Sequence, residues 1–474
     1  MYPASRGGGD MTDQDVQYLL ETSEFQLSKE VLIMKKRILV VGLIVGLLAL
    51  GSTALAYDLT QFGLQPAENY DFGGETVTII SWTSERMANY FNDNLLVLGR
   101  VQEAEELFNC KIDFMQNREI PDINFARLLS GDSVNDLWHV QNKIGYWQLV
   151  ANDALYPIYE ILPEGYYDAF PPGILAVEEA FKYNGQYWGI GTVEYRPVFG
   201  YQNDLIFVAY NKTLFEREGL PDPYELYLAG EWTWDAATDI AVKATRDLDG
   251  DGETDQWGIV DARQWDLAVS NGASMVRVDE NGKVVFTADE PAYLEALEQH
   301  REWWSELQVA MPTNSSGDLK NAFINGNAAM WFYAGAWQLP DLMPMTDEWV
   351  LVPYPKGPRV DEHQWTVQAI STTVLLVNAK NPEALIALKT FLWREEDAPL
   401  NDVLATHVRN QESAQVFLEG NRAWSGNVSR MFESFQATFV DDVRQVSAGS
   451  LSPSAAMAAL KPVVQANLDD LFCQ

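Results

Sequence analysis

Apolar positions along the chain switch repeatedly between a spacing of two and a spacing near 3.6. Residues 76–80 form a β-branched run behind Gly73-Gly74, and Val97, Val101, Ala104 and Phe108 then fall at i, i+4, i+7 and i+11. That is a strand leading into a helix. Residues 111–114 and 136–140 read as two further strands, the second after a short helix ending near Gly131. The alternation resumes with a strand at 207–210, a helix from Trp234 behind the capping residue Thr233, a helix around 319–324 and a strand at 328–333. It returns at 371–377, where Asn381-Pro382-Glu383 offers an N-cap, a proline at the first helical position and an acid at the positive end of the dipole. Ala384, Ala387, Leu388, Phe391 and Leu392 make one apolar face behind it. Strands alternating with helices predict an α/β fold.

At 474 residues, 47% apolar and 21% charged, the chain is long enough for two or three units with substantial cores. The formal net charge of −36 sets it against a phosphate backbone, so nucleic acid is excluded as a partner. Two cysteines, Cys110 and Cys473, cannot build a disulfide framework; one bridge or two free thiols remain open. The four histidines (139, 300, 363 and 407) show no zinc-ligand spacing.

Residues 34–56 carry Lys35, Lys36 and Arg37, a 13-residue apolar run from Ile38 to Leu50, and Ala54-Leu55-Ala56. The run is shorter than the roughly 20 residues that span a bilayer, and the small residues suit signal peptidase. The segment is therefore expected to be a secretory signal peptide cleaved after Ala56. No cysteine directly follows the apolar run, so a soluble protein without a lipid anchor is expected, in the periplasm or outside the cell. Residues 1–33 stand ahead of an already complete signal. Lys29-Glu30-Val31 can be encoded as a ribosome-binding sequence, so translation is expected to begin at Met34.

Asp247, Asp249, Asp251, Glu253 and Asp255 surround Gly250 and Gly252, with carboxylates at positions 1, 3, 5 and 9 and glycine at position 6 of a calcium-loop pattern. Such alternating oxygens converge on a cation at about 2.3 to 2.6 Å. Position 12, usually a bidentate glutamate, is Gly258. A structural calcium ion held by these five residues is the expectation; a solvated acidic turn is the alternative. Sixteen tryptophans give many aromatic faces of the kind that stack on sugars, and Trp82, Trp331 and Trp337 stand at predicted strand ends. The sequence contains no GxSxG, GxGxxG or P-loop motif, and clusters such as Glu395-Glu396-Asp397 read as solvated faces.

An ordered series of segments resembles the extracellular solute-binding proteins of bacterial ABC importers, in particular the maltose- and oligosaccharide-binding receptors. It runs through Leu128-Leu129-Ser130-Gly131-Asp132 with Asn135-Asp136-Leu137-Trp138, and Tyr183-Asn184-Gly185-Gln186-Tyr187-Trp188-Gly189-Ile190. Tyr210-Asn211-Lys212-Thr213-Leu214-Phe215, Trp232-Thr233-Trp234-Asp235 and the aspartate loop through Ile259 follow. Ala322-Phe323-Ile324-Asn325-Gly326-Asn327-Ala328-Ala329-Met330 and Val352-Pro353-Tyr354-Pro355-Lys356-Gly357-Pro358 complete it. Asn135 departs from the family's usual proline.

The resemblance implies a two-lobed, type II periplasmic-binding-protein-like α/β fold, with the ligand in a cleft between lobes joined by crossing strands near 203–206, 367–371 and 420–430. On that plan residues 57–204 and 369–425 form lobe 1, and 205–368 and 426–474 form lobe 2. It implies a monomer that captures a carbohydrate, expected to be an oligosaccharide, and delivers it to ABC permease subunits without catalysis. A secreted glycoside hydrolase is the competing reading. The ligand-binding residues it points to are Trp82, Gln141, Asn142, Asp204, Trp331, Trp337 and Trp424.

Overall fold

The computed structural model describes residues 57–81, 88, 98–116, 134–141, 146–170, 177–191, 205–281, 283–367, 369–394, 400–424 and 436–472. The signal segment, the residues ahead of it and the helix expected before Gly131 lie outside these. Ten strands are described: β1 Thr76–Ser81, β2 Lys111–Gln116, β3 Asp136–Gln141, β4 Ile206–Asn211, β5 Trp257–Val260, β6 Val276–Val278, β7 Val284–Phe286, β8 Ala328–Gly335, β9 Trp349–Val352 and β10 Ser371–Val374. They form a sheet of order β10-β3-β1-β2, a second of order β5-β8-β4-β9, and a β6-β7 hairpin. β1 runs parallel to β2 and β3, and β5 parallel to β8, while β10 and β4 run antiparallel to β3 and β8.

The spacing of two decides which face of the first sheet meets which core. Val77, Ile79 and Leu137 join Phe108, Leu388 and Phe391 of the flanking helices. Ile80, Trp138 and Val140 point the other way and pack with Tyr146 and Leu149. The Thr233 cap forms as expected, its hydroxyl accepting from the Ala236 N–H. Asn381 behaves differently. Its side chain makes no cap bond, because its amide donates to Asn135 Oδ1 (3.1 Å), and Asn135 in turn donates to Glu75 Oε2 (2.8 Å). The strand expected over 371–377 stops at Val374, where the chain turns and Leu376 bridges only Leu155.

The boundary expected at residue 425 also moves. The Gln411–Ala423 helix packs on β9, with Ser413 Oγ accepting from the Leu351 N–H (3.0 Å), and the Leu400–His407 helix packs on the Leu339–Leu342 helix. Both therefore belong with the second sheet, because their apolar faces (Ala414, Phe417, Leu418) find their cover there. The Pro453–Phe472 helix lies on the β6-β7 hairpin, fixed by Lys283–Asp469 (2.9 Å) and by Gln465 accepting from Phe286 N (2.9 Å). Its last turn reaches back to the first sheet's side, where Phe472 sits edge-on to Trp147 at 5.5 Å. Among the described residues no helix is long and apolar enough to cross a membrane.

Candidate functional site

Strand register fixes where the two sheets approach. β4 enters the second sheet with Ile206 opposite Gly335, so it begins where β8 ends; β10 enters the first with Ser371 opposite Gln141, where β3 ends. Leu205 bridges Val367, its carbonyl accepts from Ala336 N (2.8 Å), and Ile206 N donates to Thr366 O (3.0 Å). The connection from Val367 to Ser371 can extend no more than about 14 Å. The carboxyl ends of β3 and β8 are thus held close together, which is where open α/β sheets place their ligand crevice.

Four side chains converge at the second sheet's carboxyl edge. Half-buried Trp337 follows β8 directly and lies across Gly335, occupying the space that a Cβ there would need. Its ring stands edge-on to Tyr333, with centroids 5.7 Å apart. The guanidinium of Arg263 covers Tyr333 at 3.3 Å from the ring centroid and pairs with Asp261 at 3.0 Å. Asp261 adopts a left-handed φ of 56° at the end of β5, which turns the chain sharply so that Arg263 can face β8. Burial pushes the Asp261 carboxyl up against the pull of Arg263; burial opposes the Arg263 charge, but Tyr333 and Asp261 outweigh it and hold the guanidinium above its ordinary range. A cavity of about 420 Å³ opens beside Arg263.

At the first sheet's edge Gln141 ends β3, only 4% exposed, and among the described residues its Oε1 has no hydrogen-bond partner. A buried amide oxygen in that state has unspent capacity for a hydroxyl donor.

Of the residues expected to bind, Trp337 and Gln141 stand at these edges. Trp331 does not: it is fully buried within β8, its ring 6.0 Å from Phe323, because the Ser316–Ile324 helix covers that part of the strand. Trp424 is also largely buried and closes the Gln411–Ala423 helix, donating its N–H to Gly420 O (3.0 Å). Trp82, Asn142 and Asp204 lie outside the described residues. Sequence reasoning missed Tyr333, which its place at a strand end could have flagged, and the Asp261–Arg263 pair, which no motif marks and which meets the Tyr333 ring only in the tertiary structure.

In the aspartate loop, carboxylate oxygens of Asp247, Asp249 and Asp255 come within 4.8 Å of one another; Asp251 and Glu253 are not part of that group. Asp247 accepts the N–H groups of Gly250 (2.6 Å) and Gly252 (2.9 Å), and these bonds hold its carboxyl below the usual range. Asp255 accepts from Leu248 N (2.8 Å). Backbone donors therefore relieve part of the repulsion that a cation was expected to offset. Gly258 cannot carry a ligating side chain, since a Cβ there would strike the Ala241 backbone of the Trp234–Ala244 helix. Cys110 is a buried thiol, pushed up to about 11 by burial, and Cys473 lies outside the described residues.

Two sheets joined at their carboxyl edges by crossing segments, with aromatic and polar side chains gathered at those edges, fit a two-lobed binding protein. The chain belongs to the bacterial extracellular solute-binding protein family, which it matches over residues 143–399. Its fold resembles an ABC substrate-binding protein of Listeria monocytogenes in complex with cycloalternan, with a TM-score of 0.59 at 17% identity, covering 84% of this chain and 98% of that one. A maltose/maltodextrin-binding domain from Bdellovibrio bacteriovorus bound to maltotriose gives 0.59 at 15% identity, covering 83% and 99%. An acarbose-binding receptor of Streptomyces glaucescens gives 0.58 at 16%, covering 85% and 99%. Comparison with curated protein sequences gives no match.

Proposed function

We propose that this solute-binding protein captures a carbohydrate, in particular an oligosaccharide, between its sheet edges and hands it to ABC permease subunits as a monomer outside the cytoplasm. The observation that carries the reading is the Trp337–Tyr333–Arg263 stack at the carboxyl edge of β8 and β5: an indole offers its face to the C–H face of a pyranose, and the guanidinium supplies hydroxyl-directed donors. The sugars held by structurally similar proteins support the choice of ligand class. Binding without bond chemistry fits Asp261, whose carboxylate is committed to Arg263 rather than poised for proton transfer. Trp82, Asn142 and Asp204 are proposed as further contacts. Calorimetry against a panel of glycans, amino acids and peptides tests the reading. One glycan class should bind, with Trp337→Ala weakening it at least about tenfold, whereas binding confined to amino acids or peptides would overturn it.

We further propose calcium in the aspartate loop as a structural ion, supported by the convergence of Asp247, Asp249 and Asp255. EDTA should lower the melting temperature of the wild type but not of Asp249→Asn, and glycan affinity should stay unchanged. A melting temperature indifferent to EDTA would remove the ion from the account.

A further inference from the structure

The second lobe holds a cavity that the Trp337 platform does not use. Its walls include Arg263, Trp265, His300, Trp304, Asn314 and Arg444, and its volume of about 420 Å³ lies within the range of roughly 300 to 1,000 Å³ typical of small-molecule sites. Its place follows from the sheet. Ala310 bridges Ile259 in parallel, with Met311 N donating to Ile259 O (3.0 Å), so residues 309–311 extend the second sheet beyond β5. The chain leaving that extension, including Asn314, therefore emerges at the same carboxyl edge as Asp261 and Arg263. Arg263 belongs both to the cavity wall and to the stack on Tyr333. From β8 to this outermost segment is two strand spacings, about 10 Å, farther than one sugar ring reaches.

The cavity has a fixed aromatic wall. The Pro291–Arg301 helix continues into a π-helical turn, Glu302–Glu306, a feature often found at functional sites. The turn splits two adjacent tryptophans. Trp303 is fully buried, donating its indole N–H to Thr238 Oγ1 (2.8 Å), while half-buried Trp304 faces the cavity. His300 backs Trp304 with its ring stacked at 18° and 5.8 Å, and is itself pinned at both nitrogens, by Ser447 Oγ (3.0 Å) and Ala262 O (3.1 Å). Its role is to hold the indole, not to bind a ligand. The two guanidiniums in the wall are each paired, Arg263 with Asp261 (3.0 Å) and Arg444 with Asp441 (3.2 Å), which leaves hydrogen-bonding capacity without excess positive charge. That lining suits a neutral polyhydroxyl group over an anion.

We infer that this cavity is a second sugar subsite, continuous with the Trp337 platform through Arg263, and that it takes an outer unit of an extended oligosaccharide with Trp304 as its stacking face. The inference rests on the carbohydrate reading and adds a length requirement to it. Titration of maltose, maltotriose and maltotetraose, and of β-1,6-galactobiose and its trisaccharide homologue, into the wild type, Trp304→Ala, Trp304→Phe and Trp337→Ala proteins tests it. Trp304→Ala should cost about tenfold in affinity for the tri- and tetrasaccharides and leave the disaccharides unchanged. Trp304→Phe should restore most of the loss, and Trp337→Ala should weaken every length. Equal losses at all lengths in Trp304→Ala, or none, would overturn the subsite while leaving the carbohydrate reading intact. Should another glycan of the wider panel bind instead, its shorter and longer homologues replace these sugars with the same expected outcomes; a wild type that binds no glycan would overturn both.

Discussion

The indole of Trp337 rests on Gly335, two residues earlier in the chain, in the space that any larger residue would fill with its Cβ. Gly335 has φ −68° and ψ 142°, a conformation open to every amino acid, so its lack of a side chain serves the indole rather than the backbone. Gly335→Ala should therefore fold normally yet displace the platform. Sugar affinity is expected to fall about tenfold with little change in melting temperature, read by calorimetry beside thermal unfolding. Wild-type affinity in that variant would separate Trp337 from the site.

The Arg263–Asp261 pair is largely buried, with side chains 14% and 6% exposed. Arg263→Ala leaves a carboxylate without its cation, and a cost of about 3 kcal/mol at neutral pH is expected. Adding Asp261→Asn should recover part of it by removing the stranded charge. The deficit of the single variant should also shrink as the pH is lowered, since protonation then neutralises Asp261. Urea unfolding at two pH values checks both statements.

Burial pushes His300 and His363 from the ordinary value of 6.5 to about 4. In the folded protein both stay neutral where the unfolded chain takes up protons, so stability is fully present above pH 6.5 and is lost as the pH falls toward 4. For His300, at about 1.36 kcal/mol per pH unit, the loss is on the order of 3 kcal/mol. A His300→Gln variant should show a shallower fall of melting temperature over this window, and a slope equal to the wild type's would contradict the assignment.

Phe472, in the last turn of the C-terminal helix, lies against Trp147 (5.5 Å) and Tyr183 (5.8 Å), while Lys461–Asp289 and Lys283–Asp469 tie the same helix to the second sheet's side. It thus fastens the first sheet's surroundings to the second's. Phe472→Ala should lower stability by about 2 kcal/mol and enlarge the radius of gyration of the sugar-free protein in solution scattering. An unchanged radius would make the contact a matter of packing alone.

Much of the architecture was legible along the chain because its causes are local. The β-branched run at 76–80 and the apolar stripe behind Pro382 announce their elements through spacing that neighbouring residues alone impose. Trp337 could be singled out because it directly follows a strand. Trp331 could not be told from it: both are tryptophans six residues apart in or just after one strand, and only the Ser316–Ile324 helix lying over the strand separates the buried ring from the half-buried one.

Asn381 shows the same limit on a smaller scale. Its sequence context promised a helix cap, but Asn135, 246 positions away, claims its amide. The sequence by itself determined which segments are strands and helices, the strong negative charge and the family pattern, since these depend on composition and on contacts a few residues apart. Which side chains share a groove was decided by the tertiary structure. The meeting of Arg263 with Tyr333, the indole pinned by His300 and the register that sets Gln141 opposite Ser371 all arise from packing and hydrogen bonds between residues remote in sequence, whose energies no local pattern records.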